Sequence, residues 1–175
     1  KKIQDALADI QFLRDKYGAT HFHFTDESYP PALFRKLTRG LIESQMGIVW
    51  TTHMRFEKSL LDEAVWQDAK ESGCKYLHFG YESGVERVLQ LMDKATTAEV
   101  MTKHLKLTAE AGIWNHCMGF FGFPGETKEE AWQSVQFLEH NKEHVHSLGF
   151  GTFDLGRHNP VAKHPDKWGV TAYKN

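Results

Sequence analysis

The sequence predicts an α/β fold in which parallel strands alternate with helices, and three observations lead there. Apolar residues recur at helical spacing over stretches of roughly ten residues or more. Between those stretches lie short runs rich in aromatic and β-branched residues, each reached after a helix. Gly, Pro or a Ser/Thr cap stands at most of the junctions. Strands separated by such helices pair in parallel through right-handed crossovers. An open doubly wound sheet and part of a barrel satisfy this pattern equally, and in both, ligands gather at the carboxyl ends of the strands.

Ile3, Ala6, Leu7, Ile10, Leu13 and Tyr17 mark the first amphipathic helix, which Gly18 stops. THFHFTD follows as a short strand ending in acids. Pro30 and Pro31 restart a helix that runs to Leu41, GIVWTTHM is the second strand, and Leu60 to Glu71 is a helix closed by Gly73. CKYLHFGYES is the third strand, followed by helical stretches from Val85 to Met92 and from Thr97 to Ala111. Thr96 and Glu99 have the spacing of a capping box. IWNHCMGFFGF is the fourth strand, after which Pro124-Gly125 makes a bend. Thr127 and Glu130 are a second capping box, opening a helix with Ala131, Val135 and Leu138 on one face. HSLGFGTFDL is the last strand, and GRHNPVAKHPDKWGV reads as loop.

At 175 residues the chain fits one domain with a real core. A formal charge of -2 argues against a surface dominated by nucleic-acid electrostatics, while leaving room for a local basic patch. His, Asn, Lys or Glu interrupts each apolar run before membrane-spanning length, and the first residues lack the apolar core and cleavage site of a signal peptide. Cys74 and Cys117 make neither a disulfide framework nor a CxxC pair, so a reducing cytoplasm is the expected compartment. Each thiol reads as a small buried hydrophobe. The chain opens at Lys1 inside what reads as a helix, which is the reading expected of a piece of a longer protein.

The predicted strand ends are unusually polar. The first ends in Asp26-Glu27-Ser28, the second near His53 and Arg55, the third in Glu82-Ser83-Gly84, and the fourth in Gly122 to Glu126. A carboxylate before a helix is explained by the helix dipole alone, at about 0.3–1 kcal/mol each. Acids at two ends, an Arg at another and a Gly-Phe-Pro-Gly turn at the fourth strain that explanation when taken together. A ring of both charge signs suits a zwitterionic ligand.

The segments HFHFTDES, HMRFEKSLLDEAVWQDAKESGCKYLHFGYESGVERVLQLMDKATT and AGIWNHCMGFFGFPGET resemble successive segments of radical S-adenosylmethionine enzymes. The likeness is nearest to the subgroup that often carries a cobalamin-binding domain. Its pattern is an acidic pair after one strand, an Arg before the next helix, then Gly-x-Glu-Ser-Gly, Leu-x-x-Met-x-Lys-x-x-Thr and Gly-[hydrophobic]-Pro-Gly-Glu-Thr. Here these stand as Asp26-Glu27, Arg55, Gly80 to Gly84, Leu89 to Thr97 in slightly varied form, and Gly122 to Thr127. Each motif is weak alone; the collinear set is strong.

The resemblance implies a fragment of a partial (β/α)6 TIM-like barrel. Residues 1–155 would supply strands 2–6 and their helices, with the first strand and its cluster loop missing, and 156–175 a C-terminal tail. It implies an enzyme that cleaves S-adenosylmethionine reductively at a 4Fe-4S cluster and modifies a substrate by radical or methyl-transfer chemistry. Cobalamin is a further candidate cofactor of the full-length protein. The family's Cys-x3-Cys-x2-Cys motif is nowhere in these residues, and neither Cys74 nor Cys117 replaces it. The cluster ligands are therefore expected upstream, and the fragment alone is expected to be inactive.

Residue roles follow from the same resemblance. Asp26 and Glu27 match the segment that meets the methionyl ammonium, and Lys94 the position that meets the methionyl carboxylate, with Arg55 lining the same mouth. Glu82 and Ser83 match positions near the ribose hydroxyls. Met118 stands where many relatives carry a polar residue, which puts a second ribose contact in question. Phe120, Phe121 and Gly122 lie where strand backbone and an apolar side chain meet adenine. One Phe should face the site and the other the helices, because side chains alternate.

Plainer roles compete with these: a solvated loop lysine for Lys94, a strand cap or a bridge to Asp26 for Arg55, and a helix N-terminal acid for Glu82. His140, His144 and His146 place two imidazoles one helical turn apart, but no carboxylate or thiol at fixed spacing completes a zinc set, so no metal site is assigned. His21 and His23 share a strand face and line or fill the barrel; His158 and His164 lie in the tail without an assigned role. The expected partners are a small-molecule cofactor and a substrate set by sequence beyond the shared barrel, with neither membrane nor nucleic acid among them. Exposed strand edges invite self-association. The second functional reading is a non-catalytic α/β nucleoside-binding module, separated from the first by whether a Cys-x3-Cys-x2-Cys precedes Lys1.

Overall fold

Five parallel strands pair in the order in which they occur in the chain: β1 (His21–Phe24), β2 (Val49–Met54), β3 (Cys74–Glu82), β4 (Trp114–Phe121) and β5 (Ser147–Thr152). The computed structural model of the chain describes residues 2–25, 29–156 and 159–171. The sequential order decides between the two architectures left open by periodicity. A doubly wound sheet reverses direction partway, whereas here every crossover advances one strand the same way, as in a barrel wall. A right-handed crossover repeated in one direction puts the connecting helices on one face.

The helices are α1 (Ile3–Tyr17), α2 (Pro31–Glu43), α3 (Glu63–Glu71), α4 (Glu86–Leu91), α5 (Ala98–Glu110) and α6 (Lys128–His140). Gly18 ends α1 in the left-handed conformation expected of a helix stop. Thr127 and Glu130 form the capping box that opens α6. Two expectations shift. The helix placed from Leu60 starts at Glu63, because the Asp62 side chain accepts from the Ala64 N–H and Lys58–Leu60 forms a 3-10 turn. The cap of α5 is Thr97 rather than Thr96, since the Thr97 side chain accepts from the Val100 N–H while Glu99 pairs with Lys103.

The strand alternation sorts side chains cleanly. Trp50, Met54, Leu77, Phe79, Tyr81 and Cys117 turn toward the helices and are buried. Phe34 of α2 packs 5.5 Å from Trp66 and 6.1 Å from Trp50, ring centre to ring centre. Both indole N–H groups find carbonyls, Trp50 that of Ser72 at 3.0 Å and Trp66 that of Leu60 at 2.9 Å. A fully buried Phe contributes about 1.5–3 kcal/mol relative to exposure, so this aromatic knot is the centre of the fold.

The end of β3 docks on α6. The Tyr81 hydroxyl donates to the Ser134 carbonyl at 2.7 Å. Gly84 passes so close that an added Cβ would lie 2.5 Å from that hydroxyl and 2.7 Å from Phe137, which no side chain fits.

The tail read as loop contains structure. Asn159 caps α7 (Pro160–Lys163), accepting from the Val161 N–H at 2.9 Å, and Pro165–Trp168 adds a 3-10 turn. Val161 is buried and Trp168 packs edge-on against Phe123 at 5.4 Å, so the tail folds over the strand ends. Among the described residues β1 pairs only with β2 and β5 only with β4, leaving both outer edges open. No helix among them is long and apolar enough to cross a membrane.

Candidate functional site

At the carboxyl ends of β2 to β4 lies a cleft of about 690 Å³, within the size of small-molecule pockets. Arg55, Glu82, Lys94 and Met118 line it, together with Glu57, Asp93 and Thr96, and His53 and His78 form part of its lining from the strands below.

Arg55 is exposed on the segment that leaves β2. That segment is pinned from beneath. Phe56 stacks on Phe79 at 4.5 Å, and His104 Nε2–H of α5 donates to the Glu57 carbonyl at 2.9 Å. His104 is fully buried, and burial lowers its pKa to about 4, so the ring is neutral at pH 7.

Glu82 closes β3 after a break in register between Gly80 and Glu82, and it adopts φ 61. A left-handed non-glycine residue at a strand end is strained backbone of the kind that collects at functional sites. Asp93, at φ 56, does the same after α4, and the Lys94 N–H then returns to the Leu89 carbonyl at 2.8 Å. This turn carries Lys94 back over the strand ends, where its Nζ meets Glu82 Oε1 at 2.9 Å.

Ser83 goes elsewhere. The left-handed turn at Glu82 breaks the alternation and sends Ser83 beneath the helices, fully buried. Its hydroxyl lies 2.9 Å from Ser134 Oγ and accepts from the Val85 N–H at 3.2 Å, so its bonding capacity is spent on the fold. Ser83 is therefore not part of the cleft.

On β4, Met118 lines the cleft and Phe120 shares its face, packing near Phe123 and Phe153. Phe121 turns the other way and stacks on Phe150 at 5.1 Å. Gly122 adopts φ 82, and its N–H donates to the Glu126 carboxylate, which curls the Phe-Pro-Gly-Glu turn back on itself. Arg87 of α4 clamps that turn. It donates to both carboxylate oxygens of Glu130 and to the Gly125 carbonyl at 2.6 Å. The Arg87 hydrogen bond and that from the Thr127 N–H hold the Glu130 carboxyl down to about 2.

Asp26 and Glu27, and with them the bridge weighed between Arg55 and Asp26, lie outside the described residues, as does His158. The histidines that drew attention in the sequence are dispersed: His140 Nδ1–H donates to the Gln136 carbonyl at 2.6 Å, while His146 accepts from the Asn115 N–H and stacks on Trp114. Among the described residues no three His, Cys, Asp or Glu side chains converge as a metal site. Sequence reasoning set His53 beside Arg55 at a strand end but missed the contribution of His78, Thr96 and Pro160 to the cleft. Period-2 alternation was the available signal for His78, which shares a strand face with Gly80 and Glu82 at the strand end.

The lining can do definite chemistry. Among the described residues, two cations beside three carboxylates suit a ligand that carries both an ammonium and a carboxylate, and Glu82 is an acceptor for hydroxyls. Cys74 and Cys117 contribute nothing here: both are buried, and burial pushes Cys117 up to about 12 and Cys74 higher still, so they are inert thiols.

A family model described as the Radical SAM superfamily matches residues 2–138. The chain is 29% identical over 141 residues to an uncharacterized methyltransferase of Pyrococcus horikoshii, a match covering 78% of this chain and 30% of that protein. It is 28% identical over 166 residues to cytidylyl-2-hydroxyethylphosphonate methyltransferase of Streptomyces wedmorensis, covering 92% of this chain and 30% of the other. Among solved structures, the radical S-adenosylmethionine methyltransferase TsrM of Kitasatospora setae, with cobalamin and a 4Fe-4S cluster bound, matches with a TM-score of 0.81 at 18% identity. That likeness is one of fold and covers 93% of this chain and 31% of TsrM. The chain thus spans about 30% of the length of these two curated relatives.

Proposed function

The chain belongs to the radical SAM superfamily, and from that premise we propose that it supplies the S-adenosylmethionine-binding wall of an enzyme that modifies a further substrate by radical or methyl-transfer chemistry. The observation that carries this reading is the meeting of Arg55, Glu82 and Lys94 in one cleft at the strand ends. In this reading Glu82 accepts from the ribose hydroxyls, Lys94 and Arg55 hold the methionyl carboxylate, and Asp26 and Glu27 receive the ammonium. Lys94 exchanges Glu82 for the ligand carboxylate as the ligand enters. Phe120 and the backbone at Gly122 form the wall against adenine, with Phe121 supporting it through Phe150. Met118 offers apolar contact where a second ribose acceptor would otherwise stand.

A 4Fe-4S cluster supplies the electron for reductive cleavage when bound. Its ligands must be thiolates, and the two buried thiols of this chain do not fit that task, so the cluster is assigned to residues outside this chain. The chain alone is accordingly expected to bind S-adenosylmethionine weakly and to be inactive. Cobalamin enters this reading by likeness to TsrM, as a cofactor of the full-length protein.

Calorimetric titration of the full-length protein with S-adenosylmethionine tests the assignment. Glu82→Ala should weaken binding about tenfold, the loss of one charge-assisted hydrogen bond of about 1.5 kcal/mol. Unchanged affinity in a folded variant removes Glu82 from the site. A full-length protein that binds the nucleoside but carries no Cys-x3-Cys-x2-Cys leaves the non-catalytic binding module as the reading.

A further inference from the structure

Below the cleft, four imidazoles run across the face of the sheet opposite the helices, one from each of four adjacent strands. His53, His78 and His116 are direct register partners on β2, β3 and β4, and His23 of β1 completes the row. Ring centres lie 4.8 Å apart for His53 and His78, 5.3 Å for His78 and His116, and 5.4 Å for His23 and His53. His53 and His78 line the cleft itself. At the far end His116 Nδ1 lies 2.8 Å from Ser147 Oγ, which in turn lies 3.0 Å from Tyr76 Oη. Gly149 makes room for His116, since an added Cβ would stand 2.9 Å from its Nε2.

Neither a metal site nor inert filling accounts for this row. The rings do not converge on a common point among the described residues. Nor is the row core filling, since His23 is exposed and His53, His78 and His116 are half-buried, open to a ligand. Burial, then His53, His116 and His23, press His78 down to about 4, and burial with His53 lowers His116 as well. Among the described residues, the charged groups facing this floor from the cleft are Arg55, Glu57, Glu82, Asp93 and Lys94. An anion arriving beside His78 or His116 favours the protonated ring, which then offers it N–H donors.

We propose that His23, His53, His78 and His116 form a subsite for an oxyanion of the substrate, a carboxylate or a tetrahedral phosphoryl-type group, which binds together with a proton. The proposal rests on the proposed function in taking the cleft as the substrate-facing one. Its test is independent, because the strand ends are probed with S-adenosylmethionine and the row with small anions, and either titration can fail alone.

The probes are sulfate and acetate, titrated calorimetrically into the full-length protein between roughly pH 5.5 and 8 in buffers of differing ionisation enthalpy. Sulfate holds no titratable proton in that range, so any proton taken up belongs to the protein. The expected result is uptake of about one proton per ion and about tenfold tighter binding for each pH unit lowered below 7. His78→Gln and His53→Gln should each abolish the uptake and weaken binding at least about tenfold; two variants keep the test decisive if one does not fold. Preference for sulfate assigns a tetrahedral group and preference for acetate a carboxylate. Binding without proton uptake, uptake that survives both substitutions, or no binding of either ion at pH 6 overturns the proposal. So does micromolar zinc binding that His78→Gln removes, which would make the row a metal site.

Discussion

Lys94 Nζ sits 2.9 Å from Glu82 Oε1, joining the turn after α4 to the end of β3 across the mouth of the cleft. Two left-handed residues, Glu82 and Asp93, produce that meeting, one at each end of the pair. The Lys94 side chain is 40% exposed and that of Glu82 19%, so the pair lies where solvent and a ligand both reach it.

An ion pair this open contributes about 0–1 kcal/mol to stability. Lys94→Met is therefore expected to lower Tm by no more than about 4 °C while weakening S-adenosylmethionine binding about tenfold. Thermal melting and calorimetry on the same preparation check both. A large loss of Tm with unchanged affinity would assign Lys94 a structural role.

The Arg87–Glu130 clamp predicts acid sensitivity of the Phe-Pro-Gly-Glu corner. The folded Glu130 carboxyl titrates at about 2, below the roughly 4.3 of an unfolded Glu, so its stabilisation is present above about pH 4.3 and is lost as pH falls through about 2. Arg87→Met removes the main cause of that depression. Its Tm should fall less steeply than that of the wild type between pH 4.5 and 2; parallel profiles would refute the clamp.

His104 acts in a higher window. The folded chain holds it at about 4 and the unfolded chain at about 6.5, so between those values the unfolded state binds more protons and stability falls as pH is lowered. His78 contributes in the same direction and the same window. His104→Gln should flatten the stability profile between pH 6.5 and 4, and His78→Gln should flatten it by a further part. Circular dichroism melts across that range distinguish them, and a His104→Gln profile identical to wild type would contradict the assignment.

Much of the fold was legible because helix caps and strand alternation are local. Gly18, Thr127 with Glu130, and the aromatic strand runs announce their own roles, and the strand ends bring Arg55, Glu82, Lys94 and Met118 into one cleft. Strand order was not legible, because an open sheet and a barrel wall share the same βα alternation and differ only in which neighbour each strand finds. Ser83 was misplaced because a left-handed Glu82 reverses the expected facing of the next residue, and backbone strain at a non-glycine leaves no compositional mark. Thr96 and Thr97 compete for one cap, and the geometry of the preceding turn chooses Thr97. The histidine row depends on register between strands far apart in the chain, whereas the eye is drawn to His140, His144 and His146, close in sequence and dispersed in space.

The most direct test of the central claim is a crystal structure of the full-length protein with S-adenosylmethionine bound. The ribose hydroxyls should lie within hydrogen-bond reach of Glu82, with the Lys94 ammonium moved from Glu82 to the methionyl carboxylate and Phe120 beside the adenine. A ligand bound away from the strand ends, with the Glu82–Lys94 pair still closed, would contradict it.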